Sequence, residues 1–168
     1  MSRSLTVTVA LLLFTCACSF AVPIHAEDAP KPKSIEHHVH SGYFEKNDSG
    51  LNSETTSIIA CLDQEAFDKV FHPAPVMFKK NDFLAKDAFK TKFVVAVVKR
   101  GDAVWNYTVD SVTAENGVLT VKYKGAPQPN TGTAKFASPL IIALDKADYK
   151  SIIYVENGTE IGKAKLDK

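Results

Sequence analysis

The feature that most constrains this chain is a continuous apolar run, Phe93-Val94-Val95-Ala96-Val97-Val98, in which four of the six residues are β-branched. A strand with one face in water alternates apolar and polar residues, but this run has no polar position. We therefore predict a central β-strand that the rest of the domain covers on both faces.

Two Asn-Gly pairs, Asn116-Gly117 and Asn157-Gly158, mark tight turns between alternating segments. Both residue types tolerate the positive φ that two-residue hairpin turns require, so each pair predicts a β-hairpin. The flanking strands are predicted at 104–112 and 118–124 for the first hairpin, and at 152–156 and 159–163 for the second.

Three further segments have strand composition, namely 37–44, 55–60 and 134–144. Pro139 lies inside the last of them. It requires an edge position, a bulge or a bend, because proline cannot donate a hydrogen bond to a neighbouring strand.

One helix is predicted after Asp63, whose carboxylate can accept hydrogen bonds from the first free backbone N–H groups. Phe67, Val70 and Phe71 follow at helical spacing, and His72-Pro73 is expected to end the helix. A second short helix is predicted at 82–89. Together these elements predict an α+β fold, with an antiparallel-rich β-sheet or small sandwich and one or two short helices packed on it.

The N-terminus has the features of a secretory signal peptide. Arg3 supplies a positive charge, Leu5–Phe20 is apolar or small, and cleavage after Ala26 is close to the small-residue rule. We expect a secreted or periplasmic protein with no transmembrane segment in its mature form. Lipidation at Cys16 or Cys18 and an uncleaved N-terminal anchor are the alternatives.

The chain therefore divides into a signal peptide at 1–26, a Pro-containing linker at 27–33 and a single β-rich domain at 34–168. Its formal net charge of +1 implies no field that would attract nucleic acid or a membrane surface. Nucleic-acid recognition would favour aromatic residues interleaved with the basic residues on one surface, but most aromatic residues here fall on core-like periodic positions. We expect no nucleic-acid partner.

The cluster His37-His38-Val39-His40 is the most prominent group of potential metal ligands in the sequence. On a strand, His38 and His40 share a face and could reach one metal ion. No Cys, Asp or Glu stands at a recognisable ligand spacing from them, and a zinc site needs at least three protein ligands. The favoured interpretation is a strand start without metal or cofactor, and metal binding is the alternative.

Four other residues bear on chemistry or binding. Cys61 follows an apolar strand, and neither a base nor a positive field lies near it in sequence, so catalysis through its thiol is not expected. Lys99 and Arg100 end the central strand, where a turn would present them to solvent as binding contacts. Trp105 alternates with Tyr107 and Val109, which indicates a core position.

From Leu62 to the C-terminus the chain resembles the C-terminal domain of the PrcB family, exported bacterial proteins named as subunits of a surface protease complex. The resemblance covers roughly 100 residues and lies in the order of DQEAFDKVF, Asp82-Phe83, FVVAVVKRG, WNYTVDSV and FASPLIIAL. The chain is also similar to uncharacterised exported proteins of the planctomycete type. These carry stretches like His40-Ser41-Gly42, Lys99-Arg100-Gly101 and Val155-Glu156-Asn157-Gly158. The first resemblance implies a β-rich accessory domain that binds or stabilises another protein, and neither implies a catalytic residue.

These observations predict a non-enzymatic, exported binding or accessory domain whose partner is another exported protein such as a protease. A metal- or small-ligand-binding protein that uses His38 and His40 is the second hypothesis, and an enzyme that uses Cys61 is the third.

Overall fold

The computed structural model describes residues 31–51, 55–75, 81–129 and 132–166. They form eleven β-strands, one α-helix and one turn of 3₁₀ helix. The strands are β1 (Lys33–Ser34), β2 (His37–His40), β3 (Tyr43–Glu45), β4 (Thr56–Cys61), β5 (Phe71–Pro73), β6 (Lys92–Gly101), β7 (Ala103–Glu115), β8 (Val118–Pro129), β9 (Phe136–Asp145), β10 (Ser151–Glu156) and β11 (Thr159–Lys165). The helix α1 is Gln64–Val70, and the 3₁₀ turn is Ala88–Lys90.

The strands form two sheets and a small ribbon. The larger sheet has the order β1-β7-β8-β10-β11, the smaller one the order β2-β9-β6-β4, and β3 pairs with β5. The pairs within these sheets are antiparallel apart from β8 with β10, which is parallel because β9 crosses to the other sheet between them. The predicted antiparallel-rich α+β fold is confirmed, and it has the form of a small sandwich.

The main core lies between the two sheets. The smaller sheet contributes side chains from β6 and β9, and the larger sheet contributes side chains from β7, β8 and β10. The buried members are Phe93, Val95, Val97, Val112, Leu119, Val121, Tyr123, Leu140, Ile142, Leu144, Ile152 and Tyr154. Alternation along each strand sends these side chains to the same face and their neighbours to the other.

A second core covers the outer face of the smaller sheet. Val94, Ala96 and Val98 of β6 lie there against Phe67 and Val70 of α1. The ribbon of β3 and β5 adds Tyr43 and Phe71 to the same cluster. The apolar run of β6 is therefore buried on both faces, as its lack of polar positions predicts.

Helix α1 begins as predicted and ends earlier. The Asp63 Oδ1 atom accepts a hydrogen bond from the backbone N–H of Ala66 at 2.8 Å, which confirms Asp63 as the N-cap. The helix stops at Val70, not at the predicted His72-Pro73 pair, because Phe71 adopts an extended backbone and starts β5. Pairing with β3 satisfies this segment's backbone groups instead.

Both predicted hairpins are present. Asn116 and Gly117 have φ values of 51° and 79° between β7 and β8, and Asn157 and Gly158 have values of 49° and 84° between β10 and β11. Two consecutive residues at positive φ are typical of the tight turn that matches the twist of antiparallel strands.

Pro139 occupies a position in β9 where one side of the strand is unpaired with β2. It pairs with Val98 of β6 on the other side, whereas the pairing with β2 covers Ile141 to Leu144. Because β2 does not extend to Pro139, the missing N–H of this proline costs no hydrogen bond to β2. Pro139 therefore lies at a local edge of a strand that is otherwise internal, in agreement with the prediction.

Two predicted elements differ in the structure. The segment 37–44 is not one strand, because Gly42 has a φ of 84° and separates β2 in the smaller sheet from β3 in the ribbon. The segment 82–89 is also not the predicted helix, because it becomes helical only in the 3₁₀ turn that begins at Ala88. Its first residues pair elsewhere, since Asp82 forms a β-bridge with Ser41 and the Leu84 N–H donates to the Tyr43 hydroxyl at 2.9 Å.

The predicted signal peptide, with its two cysteines, lies outside the described residues. Strand β1 begins at Lys33, one residue before the predicted start of the domain, and pairs with β7. Within the described ranges, no helix is both long and apolar enough to cross a membrane.

Candidate functional site

Strand β2 places two histidines on the outer face of the smaller sheet. His38 pairs with Ala143 and His40 pairs with Ile141, and both of these partners belong to the outer core. Directly paired residues of an antiparallel sheet point to the same face, so His38 and His40 share it, as the sequence predicts.

The structure adds Asp82 to these histidines. The Ser41 N–H donates to the Asp82 carbonyl at 3.0 Å, and the Asp82 N–H donates to the Ser41 hydroxyl at 3.2 Å. This bridge holds Asp82 beside the end of β2. Gly42 permits the approach, because a Cβ there would lie 2.8 Å from both Asn81 Oδ1 and Phe83 Cε1.

The three side chains form a compact cluster, which we call the His-Asp cluster (His38, His40 and Asp82). The His38 Nε2–H donates to Asp82 Oδ2 at 2.6 Å, and His40 Nδ1 lies 3.5 Å from Asp82 Oδ1 and 3.2 Å from the Asp82 carbonyl. One potential ligand atom from each residue lies within 4.8 Å of the others. The side chains of His38 and Asp82 are 58% and 45% exposed, whereas that of His40 is 10% exposed.

The surroundings shift the pKa of two members of the cluster, Asp82 and His40. The hydrogen bond from His38 lowers the pKa of Asp82 despite some desolvation. Burial lowers the pKa of His40, and this outweighs the opposite effect of the Asp82 carbonyl and carboxylate. An ionised carboxylate and a neutral imidazole are the forms that bind metal ions.

Asp82 could not be predicted from the sequence as the third member of the His-Asp cluster. It lies 44 positions from His38 and 42 from His40, in a segment predicted to be helical. Recognised metal motifs place ligands at short, fixed spacings on one element, whereas this contact arises from a bridge between two segments. Short-range spacing therefore carries no signal for it.

Lys99 lies at the end of β6, but the structure does not present its side chain to solvent. Its Nζ atom lies 2.6 Å from Glu156 Oε1 and 4.0 Å from the centroid of the Trp105 ring. Both charged side chains are largely buried. The expectation of an exposed turn is wrong here because β6 continues to Gly101. Trp105 is half-buried beside Lys99, and it is not among the buried residues of the main core.

Arg100 is also directed into a polar network. Its Nε–H and one Nη–H group donate to the two carboxylate oxygens of Glu45, each at 2.7 Å, and the other Nη–H group donates to the Ser57 hydroxyl at 2.9 Å. A two-bond pairing of this kind fixes the guanidinium in orientation. It ties β6 to the end of β3, so the predicted solvent-exposed geometry is wrong for Arg100 as well. A binding role for Lys99 and Arg100 stays a prediction.

An open groove of about 700 Å³ lies beside Arg100, and we call it the end groove. It is formed by β3 and the residues after it, the end of β6 and the start of β9. Phe44, Lys46, Arg100, Lys135 and Phe136 are among its lining residues. Except for Arg100, none of these residues could be predicted as a binding residue from the sequence, since single aromatic and basic residues at strand ends are common on protein surfaces.

Cys61 lies in the outer core and is 1% exposed. Burial raises the pKa of its thiol to about 12, and the nearby Asp63 carboxylate adds to the effect. The thiol is therefore protonated and enclosed, which is the opposite of a nucleophilic cysteine.

The resemblance to the PrcB family remains a prediction. No family model matches this chain, and no curated protein or solved structure matches it significantly.

Proposed function

We propose that the protein is a non-enzymatic binding domain that works outside the cytoplasm and associates with another exported protein through the end groove. The observation that carries this proposal is the combination of exposed aromatic surface and of lysines without an acidic counterpart among the described residues that line the groove. Loops and strand ends on a rigid scaffold are common positions for binding residues.

The charges of the groove favour an acidic segment as its ligand. Glu45 and Arg100 neutralise each other in their two-bond pair. Among the described lining residues, Lys46 and Lys135 remain as positive charges without an acidic residue of the groove to balance them. Lys46 Nζ donates to the Asp68 carbonyl, which bears no net charge. Complementary charge across an interface guides the orientation and specificity of binding.

Aromatic residues supply the apolar part of the groove. Phe44 is 42% exposed although it is a large hydrophobic residue, and Phe136 also lines the groove. Aromatic side chains contribute strongly at the centres of protein interfaces. We therefore expect the ligand to be an acidic segment that also carries an apolar side chain.

The state of Cys61 supports the non-enzymatic part of the proposal, because this residue is the candidate nucleophile of the sequence and it is enclosed and protonated. The resemblance to the PrcB family supports the accessory role, and it makes an exported protease one partner of the proposed kind.

Site-specific photocrosslinking tests the proposal. We would replace Phe44 with benzoylphenylalanine in the mature chain and expose it to the extracytoplasmic fraction of the source organism. The matched control carries the same probe at Val104, which is 38% exposed on β7. We expect one exported protein to crosslink from position 44 and not from position 104, with the crosslink located in an acidic segment.

Charge reversal supplies the second measurement. We expect Lys135→Glu to reduce the recovery of that protein by at least about tenfold, whereas Lys122→Glu, an exposed position on β8, should leave the recovery unchanged. Equal crosslinking from positions 44 and 104, or equal recovery with Lys135→Glu, would contradict the role of the end groove.

A further inference from the structure

The His-Asp cluster brings together donor atoms that transition metals prefer. Imidazole nitrogen and carboxylate oxygen are common ligands of zinc and of related divalent ions. Two histidines of one strand and a carboxylate from a separate segment converge here, with one ligand atom from each within 4.8 Å of the others. The cluster lies at the β2 edge of the smaller sheet, and none of its three residues is among those that line the end groove.

The observed distances suit a metal ion after small side-chain movements. Zinc holds nitrogen and oxygen ligands at about 2.0–2.2 Å, which places tetrahedral donors about 3.3–3.6 Å apart. His40 Nδ1 and Asp82 Oδ1 are already 3.5 Å apart. His38 Nε2 and Asp82 Oδ2, at 2.6 Å, would have to separate by about 0.7–1.0 Å, and the carboxylate would rotate to present one oxygen to the ion. The hydrogen that His38 Nε2 donates to Asp82 would leave this nitrogen, because a metal-bound imidazole nitrogen carries no proton. Both of these side chains are about half exposed, so rotation meets little resistance.

The backbone holds the ligands in place before any ion binds. Pairing with β9 fixes the positions of His38 and His40 on β2. The bridge to Ser41 holds the backbone of Asp82 beside β2. The two segments lie so close together that a Cβ atom at Gly42 would be 2.8 Å from Phe83 Cε1. A preformed arrangement of ligands reduces the cost of ordering them when the metal binds.

We propose that His38, His40 and Asp82 form a binding site for one divalent transition-metal ion, with zinc as its representative. Three protein ligands leave at least one coordination position, and the exposure of His38 and Asp82 directs it to solvent. The site goes beyond the proposed binding function, because its three residues are not among those that line the end groove.

Zinc binding to the mature chain, purified without an affinity tag, tests this site. We expect equilibrium dialysis at low micromolar free zinc to give one zinc ion per chain, and zinc to raise the melting temperature. His38→Ala, His40→Ala and Asp82→Asn should each weaken zinc binding by at least about tenfold. Asp82→Asn preserves the size of the side chain, so it separates loss of metal binding from loss of folding.

His37→Ala is the matched control. His37 lies on the same strand, but it pairs with Leu144 of the main core and therefore points to the opposite face. Its replacement should leave the stoichiometry and affinity of zinc binding unchanged. The proposal is overturned if the wild-type chain binds no zinc, if the His38→Ala/His40→Ala/Asp82→Asn triple variant retains it, or if His37→Ala reduces binding as strongly as the ligand variants. The remaining role of the cluster would then be structural, because its hydrogen bonds connect β2 to the 81–83 segment.

Discussion

The ammonium group of Lys99 lies 2.6 Å from the carboxylate of Glu156, and both side chains are largely buried at the end of the sandwich. The pair joins β6 of the smaller sheet to β10 of the larger sheet. The Lys99 ammonium also lies over the Trp105 ring. This pair therefore connects the two layers by charge where the apolar core ends.

Replacing one member of this pair should be costly, because the other charge stays buried without its partner. We expect Glu156→Gln to lower the free energy of unfolding by about 3 kcal/mol. Lys99→Met combined with Glu156→Gln should cost less than the sum of the two single variants. Urea denaturation of the three variants measures this, and strictly additive losses would mean that the pair contributes no coupling.

Gly42→Ala should weaken zinc binding although it changes no ligand. The new Cβ would lie 2.8 Å from Asn81 Oδ1 and Phe83 Cε1, which displaces the segment that carries Asp82. Gly158→Ala is the matched control, because Gly158 has the same φ of 84° but no heavy atom within 4 Å of the new Cβ. We expect both variants to lose about 1–2 kcal/mol of stability from backbone strain. Zinc titration should separate them, and equal affinities would show that the 81–83 segment does not position the site.

Asn157→Ala should destabilise the fold more than Asn116→Ala. Both residues have positive φ in equivalent turns, so both variants incur backbone strain. Asn157 also bonds across to β8, where its Oδ1 accepts from the Gly125 N–H at 3.2 Å and its Nδ2–H donates to the Gly125 carbonyl at 3.0 Å. We expect an additional loss of about 1–2 kcal/mol for Asn157→Ala, measured by urea denaturation. Equal losses would assign the effect to the turn alone.

Cys61 should react with thiol reagents only after unfolding. Its pKa is raised from 9.0 to about 12, so at about pH 8 the native thiolate fraction is about a thousandfold lower than that of an unfolded chain. We expect negligible labelling of the native mature chain and complete labelling in concentrated urea. Rapid native labelling would contradict the buried position.

The same shift has a consequence for stability in alkali. The unfolded thiol ionises first as the pH rises through 9.0, so the free energy of unfolding should fall progressively up to about pH 12. Cys61→Ala removes this contribution, and its unfolding free energy should therefore decline less steeply over that range. An identical decline in both proteins would show that the thiol does not contribute.

Several elements could be predicted from the sequence because short-range patterns determine them. The apolar run of β6 allows no face to lie in water, and each Asn-Gly pair suits a turn at positive φ. Asp63 caps its helix through a bond to a backbone group three residues away. The segment 82–89 resembled a helix for the same kind of reason, but contacts with Ser41 and Tyr43 outweighed its local preference.

The sequence by itself determined the β-rich class, the central strand, the hairpins and the shared face of His38 and His40, since these depend on side-chain alternation and on backbone preferences within a few residues. Only the tertiary structure decided that Asp82 joins the two histidines and that Lys99 and Arg100 bind Glu156 and Glu45 instead of facing solvent. Those contacts join residues that are tens of positions apart. Their formation depends on how the sheets pair and pack, and no local pattern records which distant side chains the packed sheets bring together.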